Sequence, residues 1–296
     1  MSAVTYATAR ILRVLPRARI GRAIGKLADA KWPSPVGRAV VGVYSHVYDV
    51  RFDECEKGAD WASFDAFFTR RLRAGARPID SDAHTVVSPA DGRVESAGPV
   101  DGRGTFAVKG RPYSVAELVG DEAESRRFEG GAGCVVYLSP RDYHRVHAPV
   151  GGTIRRIRSM PGDYFPVNAI GMRHIPQLFC RNRRVAIEID ADAGMGRVTV
   201  VMIVAMIVGR ITTLGVVADD VPVGDHSFDP PLHVARGEEL GVFHLGSTAV
   251  MFVERRAAGE WLVREGPVRY GQALVRAAEA PARASNGRSA LHGDSG

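Results

Sequence analysis

The stretch Leu245-Gly246-Ser247-Thr248 sets a hydroxyl beside a residue without a side chain. It lies inside apolar, strand-like sequence, with Val242-Phe243 before it and Ala249-Val250-Met251-Phe252-Val253 after it. Gly246 leaves its own carbonyl sterically open and admits unusual backbone dihedrals. The Ser247 hydroxyl can therefore reach that carbonyl from the following residue and exchange the amide for an ester. A tight turn between two strands is the plain alternative, since Gly and Ser are ordinary turn residues. Self-attack further requires a base to accept the Ser247 proton and a group that orients the base. Two other segments hold those residue types. Tyr143-His144-Arg145-Val146-His147-Ala148-Pro149 carries two histidines, and Ser88-Pro89-Ala90-Asp91-Gly92-Arg93-Val94 presents a carboxylate at an Asp-Gly turn. On an extended strand His144 and His147 point to opposite faces, whereas a tight or helical turn lets them share one pocket. Both arrangements stay open.

The order Asp91, His147, Ser247 is also that of one class of serine proteases. A serine hydrolase would stay intact and react at Ser247 with an external ester; self-processing would cut the chain between Gly246 and Ser247. No Gly-x-Ser-x-Gly elbow surrounds Ser247, which weighs against the hydrolase.

Five segments in order carry a family resemblance: Pro-Ala-Asp-Gly (89 to 92), the two-histidine segment (143 to 149), Pro-Gly-Asp-Tyr-Phe-Pro-Val-Asn (161 to 168), Leu-Phe-Cys-Arg-Asn-Arg-Arg-Val (178 to 185) and Gly-Glu-Glu-Leu-Gly-Val-Phe-His-Leu-Gly-Ser-Thr (237 to 248). The likeness runs from about Phe64 to about Glu254, and the chain resembles the bacterial phosphatidylserine decarboxylase proenzymes. The resemblance implies that Ser247 attacks the Gly246 carbonyl, that elimination and hydrolysis turn Ser247 into a pyruvoyl group, and that no metal or external cofactor is used. It implies two chains, 1 to 246 and 247 to 296, held as a heterodimer. Asp91 and His147 match the family's charge-relay pair for self-cleavage, with Asp91 fixing the His147 tautomer. His144 matches the proton donor for decarboxylation. The pyruvoyl carbonyl forms a Schiff base with phosphatidylserine and serves as the electron sink, as pyridoxal phosphate does elsewhere. Arg145 and Arg183 stand nearest these motifs as phosphate partners.

Thirty-nine basic against 33 acidic residues leave a net charge of +6 in a chain of 296 residues, 45% of them hydrophobic. That balance favours anionic partners. A basic β domain binding RNA or lipid without catalysis is the non-enzymatic alternative. However, the arginines lack the interleaved aromatics that stack single-stranded bases, so no nucleic-acid partner is expected. Three cysteines, Cys55, Cys134 and Cys180, lack Cys-x-x-Cys spacing, which argues against a disulfide framework or a zinc site.

Basic charge gathers at the start: Arg10, Arg13, Arg17, Arg19, Arg22, Lys26 and Lys31. Ile20, Ile24 and Leu27 keep helical spacing beside Arg19, Arg22 and Lys26, while Ile11, Leu12 and Leu15 precede a break at Pro16. This pattern predicts an interfacial helix on an anionic membrane surface, with about 1 kcal/mol for each basic residue near it. The expected location is peripheral, on the cytoplasmic face of the cell membrane. The apolar run Val198 to Val208 is about half of the roughly 18 to 20 residues a spanning helix needs. Its Val and Ile content predicts a buried central strand.

The predicted fold class is α+β, a mostly antiparallel β core, barrel-like or a sandwich, with an N-terminal helical membrane-associating segment. Residues 1 to 75 read as helical, with Val36, Val40, Tyr44 and Val47 at helical spacing, then Phe64, Phe67, Phe68 and Leu72. Arg77-Pro78-Ile79-Asp80 ends that part. Residues 76 to 246 alternate short strands with Gly, Pro and Asp, and 247 to 296 complete the core and end in a disordered tail over about 280 to 296.

Overall fold

The structure is a computed structural model, and it describes residues 17–56, 61–167, 169–205 and 210–277. The expectations for Arg10 to Pro16, for Asn168, for the end of the 198 to 208 run and for the tail from 280 fall outside those residues.

Three helices open the described chain, at Arg17–Asp29, Ser34–Tyr48 and Phe64–Phe68. Pro35 in the first turn of the second helix suits a position whose N–H has no partner. That helix stops where Asp49 turns left-handed and gives its N–H to the Ser45 carbonyl. The third helix starts at Ser63, whose hydroxyl accepts the Ala66 N–H at 3.1 Å. Tyr44, Trp61, Phe64 and Phe67 pack edge to face between these elements. Ala28 and Phe68 close on Leu245. The helical part thus rests against the residue before Gly246. Of the apolar positions read at helical spacing, Tyr44 joins the aromatic cluster while Val36 and Val47 face outward.

The β core is antiparallel and open. A nine-stranded sheet has Ser247–Val253 near its middle, flanked along its whole length by Ala132–Leu138 and Gly196–Val204. Each residue of Ser247–Val253 is buried. The strand Gly196–Val204 takes the central place that its Val and Ile content predicts. A separate three-stranded sheet holds Arg210–Thr213, Glu239–His244 and Arg145–His147 in that order. Leu245 and Gly246 carry the chain from this sheet into the large one. The strand order of the large sheet runs from edge to edge, so the barrel-like form of the prediction is not realised. Short helices at Glu122–Arg126, Ala169–His174 and Leu178–Arg181 escape sequence reading because each is too short to show a 3.6-residue period. Among the described residues, no helix is long and apolar enough to cross a membrane.

Candidate active site

Ser247 is the first residue of its strand and is 1% exposed, and its Oγ has no hydrogen-bond partner among the described residues. Just upstream, Leu245 has φ +80° and Gly246 φ +32°. A left-handed bulky residue stores about 1–3 kcal/mol of strain and persists only where its surroundings over-determine it. A Cβ on Gly246 would meet nothing within 4 Å. Glycine is required there for its dihedral rather than for room.

Leu245, Gly246 and Ser247 line a cavity of about 260 Å³ whose other walls include Tyr44, Tyr48, Phe64 and Phe68. A larger cavity of about 550 Å³, between the helix Ser34–Tyr48 and residues 61–64, has Arg38 as its sole titratable lining residue among the described residues. The smaller one holds the Ser247 hydroxyl, while Asp91 and Tyr143 line a third cavity.

His144 is fully buried, its ring centroid 4.0 Å from that of Phe68, a wall of the Ser247 cavity. Its Nδ1 lies 2.8 Å from the Asp142 carbonyl oxygen. A carbonyl only accepts, so Nδ1 carries the proton and Nε2 keeps a lone pair. Nε2 is buried and has no partner among the described residues. Burial pushes the His144 pKa down to about 3, with Arg70 adding to the effect and the Asp142 hydrogen bond opposing it. The ring is neutral near pH 7.

His147 ends the strand Arg145–His147 and faces different neighbours. Its Nδ1 lies 2.8 Å from the Gly237 carbonyl oxygen, and its Nε2 lies 3.3 Å from the Tyr143 hydroxyl. The Tyr270 ring lies flat over it at 3.8 Å. Burial again lowers the pKa. His147 Nε2 therefore accepts from Tyr143, while the Ser247 hydroxyl stays unpaired. Strand register explains the separation. His147 sits opposite Glu239, whereas the His144 carbonyl accepts the Phe243 N–H at 3.0 Å, three residues before Gly246. At about 3.3 Å per residue along a strand, His144 lies nearer the Gly246 end.

Asp91 departs from the sequence expectation: it does not hydrogen-bond His147. It accepts from Arg77 Nη2 at 2.6 Å and Nε at 3.0 Å, and from the Tyr270 N–H at 2.8 Å. The physical reason is Arg77, a buried guanidinium that Asp91 shares with Glu54. A buried charge must be paired, and this demand takes the carboxylate. The Gly237 carbonyl holds the His147 tautomer instead. Asp91 reaches His147 through Tyr270, whose backbone it holds and whose ring covers the imidazole. Gly92 follows because a Cβ there would come within 2.2 Å of the Tyr137 carbonyl oxygen.

Breaking such a buried pair costs about 3–5 kcal/mol in general, with Glu54 here softening the loss. Asp91→Ala is therefore expected to lower stability by about 3 kcal/mol and to slow any reaction that needs His147 in place. Denaturant unfolding measures the first effect, and an unchanged midpoint would show that Arg77 does not depend on Asp91.

Arg145 is committed to Glu239 at 2.7 Å and to the Thr69 carbonyl at 2.7 Å, and Arg183 is paired with Asp220 at 2.8 Å. Arg145 is thus fully engaged, whereas Arg183 keeps Nη1 buried without a partner among the described residues. Sequence reading missed Tyr143 as a partner although it lies within the quoted motif. It used Arg77 only as a helix stop, and nothing in the sequence marks Tyr270.

Comparison with known proteins adds a family. The model described as "Phosphatidylserine decarboxylase" matches residues 64–276. The chain is 36% identical over 274 residues to a phosphatidylserine decarboxylase proenzyme of Myxococcus xanthus, covering 90% of this chain and 96% of that one. Proenzymes of the same name from Psychrobacter arcticus and Azotobacter vinelandii are each 36% identical, over 272 and 276 residues, covering 89% of this chain and 96% of theirs.

Proposed function

The chain belongs to the phosphatidylserine decarboxylase family, and from that premise we propose how its own residues mature it and serve the reaction. It is a decarboxylase made as a proenzyme, acting on phosphatidylserine in phospholipid synthesis to give phosphatidylethanolamine and CO2. One observation carries the mechanism: a buried, unpartnered Ser247 hydroxyl directly after two left-handed residues, on the wall of an apolar cavity.

In the proposed maturation, Ser247 Oγ bonds to the Gly246 carbonyl carbon and gives up its proton. The C–N bond breaks, its electrons staying on the Ser247 nitrogen, which takes a proton. Loss of the Ser247 Cα proton then expels the Gly246 carboxylate. Water hydrolyses the remaining enamine, releasing ammonia and leaving a pyruvoyl end on chain 247–296. The residues present fit that group, since the cavity is lined by apolar and aromatic side chains around Ser247. Bound there, the pyruvoyl carbonyl would withdraw the electrons freed when CO2 leaves the lipid headgroup.

His147 is the proposed base for the first step, once the Tyr143 hydroxyl yields Nε2 to Ser247, with Asp91 acting through Tyr270. His144 suits the other task. A base with a conjugate-acid pKa of about 3 is poor at stripping a serine hydroxyl. Yet an anionic lipid entering its dry surroundings favours the imidazolium. His144 then carries the proton that the decarboxylated carbon must receive.

The strand Ser247–Val253 has both neighbours on the other side of the cut, which supports a heterodimer of chains 1–246 and 247–296. Denaturing mass spectrometry tests the proposal: two fragments meeting at Gly246 and Ser247, the smaller with a pyruvoyl end, are expected. A single chain with an intact serine would end it.

For the membrane surface, the support is an outward apolar face. Val43 and Val47 are 65% and 66% exposed, with Leu27, Val36 and Phe52 near them in sequence. Tyr48, 42% exposed and next to Val47 on the same helix, also walls the Ser247 cavity. Arg19, Lys26 and Arg38 are exposed on the same helices. We propose peripheral binding to the anionic cytoplasmic face of the cell membrane. Val43→Glu with Val47→Glu is expected to weaken flotation with phosphatidylserine vesicles at least tenfold; unaltered flotation refutes this docking face.

A further inference from the structure

The turn that bears the scissile bond is fastened at its upstream end by charges. His244, the last residue of the strand Glu239–His244, places Nδ1 2.9 Å from both Asp65 carboxylate oxygens. Its Nε2 lies 3.2 Å from the Thr212 hydroxyl. Asp65 sits on the helix Phe64–Phe68 and is 8% exposed. Arg210 steadies it from the neighbouring strand, donating to Asp65 at 3.1 Å and to Asp29 at 2.8 Å. Asp29 is the last residue of the helix Arg17–Asp29. Leu245 then packs on Ala28 and Phe68, which belong to those same two helices. Downstream, Ser247 is locked between Leu138 and Val204 in the middle of the large sheet.

We propose that Asp65 and His244 are a positioning pair for self-cleavage, and this rests on the self-processing reading above. Left-handed dihedrals at a leucine persist only when both ends of the segment are held. The central sheet holds the end at Ser247. At the other end, His244 is the last side chain before the turn, and its Nδ1, shared by both oxygens of a nearly buried carboxylate, fixes where the strand stops. Pulling His244 toward Asp65 keeps Leu245 and Gly246 in the strained turn, with the Gly246 carbonyl presented to the Ser247 hydroxyl. His244 touches neither reacting atom. It acts through the backbone of the next two residues.

The test follows maturation of freshly translated full-length precursor over time. Hydroxylamine is used as a second readout, because it cleaves the ester form and so reports how often the acyl shift has occurred. Asp65→Ala and His244→Ala are each expected to slow cutting at least tenfold and to lower the hydroxylamine-released fragment in proportion. The double variant is expected to be no slower than the slower single one, because both remove one contact. His244→Asn, whose amide can still donate to Asp65, is expected to recover much of the rate. Wild-type rates in both alanine variants overturn the proposal, as do effects that multiply in the double variant. Should the alanine variants fail to fold, Asp65→Asn decides: it keeps the volume and removes the charge, and a wild-type rate there also overturns the pair. A wild-type precursor that never cuts would instead refute self-processing itself.

Discussion

Replacing Ser247 by alanine is expected to leave one full-length chain that releases no CO2 from phosphatidylserine. The effect should be complete, because the variant lacks both the nucleophile and the only proposed source of the pyruvoyl carbonyl. The structure adds a second, opposite expectation. Ser247 is 1% exposed and its hydroxyl has no partner among the described residues. An unsatisfied buried donor costs about 1–3 kcal/mol, so its removal should raise the stability of the uncut precursor by about 1 kcal/mol. Intact mass, CO2 release and the denaturant midpoint measure the three outcomes. A Ser247→Ala chain that still splits at this bond would show that another group attacks. A less stable variant would show that the hydroxyl is satisfied after all. Loss of function with gain of stability is the mark of a site that holds a reactive group ready.

His144→Ala is expected to mature like the wild type and then to turn over lipid about 10²–10⁴-fold more slowly, the usual contribution of a positioned general acid. Full turnover would remove His144 from the mechanism. The depressed pKa also gives a stability signature with a definite sign. Between its ordinary value of 6.5 and about 3, the unfolded chain binds a proton at His144 and the folded chain does not. His144 therefore contributes stability that is fully present above pH 6.5 and is lost as pH falls toward 3. The slope is at most about 1.4 kcal/mol per pH unit. His144→Gln removes that contribution, so its stability should fall less steeply from pH 6 to pH 4 than that of the wild type. Equal slopes would mean that His144 is solvated or already paired.

Features encoded locally were legible in the sequence. Val- and Ile-rich runs announced the strands Gly196–Val204 and Ser247–Val253, both central and buried. Gly246 announced a backbone departure, found as two consecutive positive φ values. The pairings between distant segments were not legible. Asp91 has several cations within reach along the chain, and only the folded arrangement shows that buried Arg77 claims it. The flat contact of Tyr270 on His147 joins an edge of the fold to the end of a strand. His244 and Asp65 lie 179 residues apart, and no spacing rule links them. Periodicity reports the environment of a residue, while charge pairing depends on which elements become neighbours. The family resemblance named Asp91 as the group that orients His147, and only the folded arrangement shows the Gly237 carbonyl in that place, with Asp91 one contact away through Tyr270.

The place of Ser247–Val253 between Ala132–Leu138 and Gly196–Val204 bears on how such an enzyme ages. With the chain cut there as proposed, thermal loss of the fold would become a one-way event. Reassembly demands that a fifty-residue fragment find and re-enter the heart of a sheet built by another molecule, a search whose success depends on concentration. The uncut precursor faces no such encounter, so the capacity to fold is spent when the capacity to catalyse is gained.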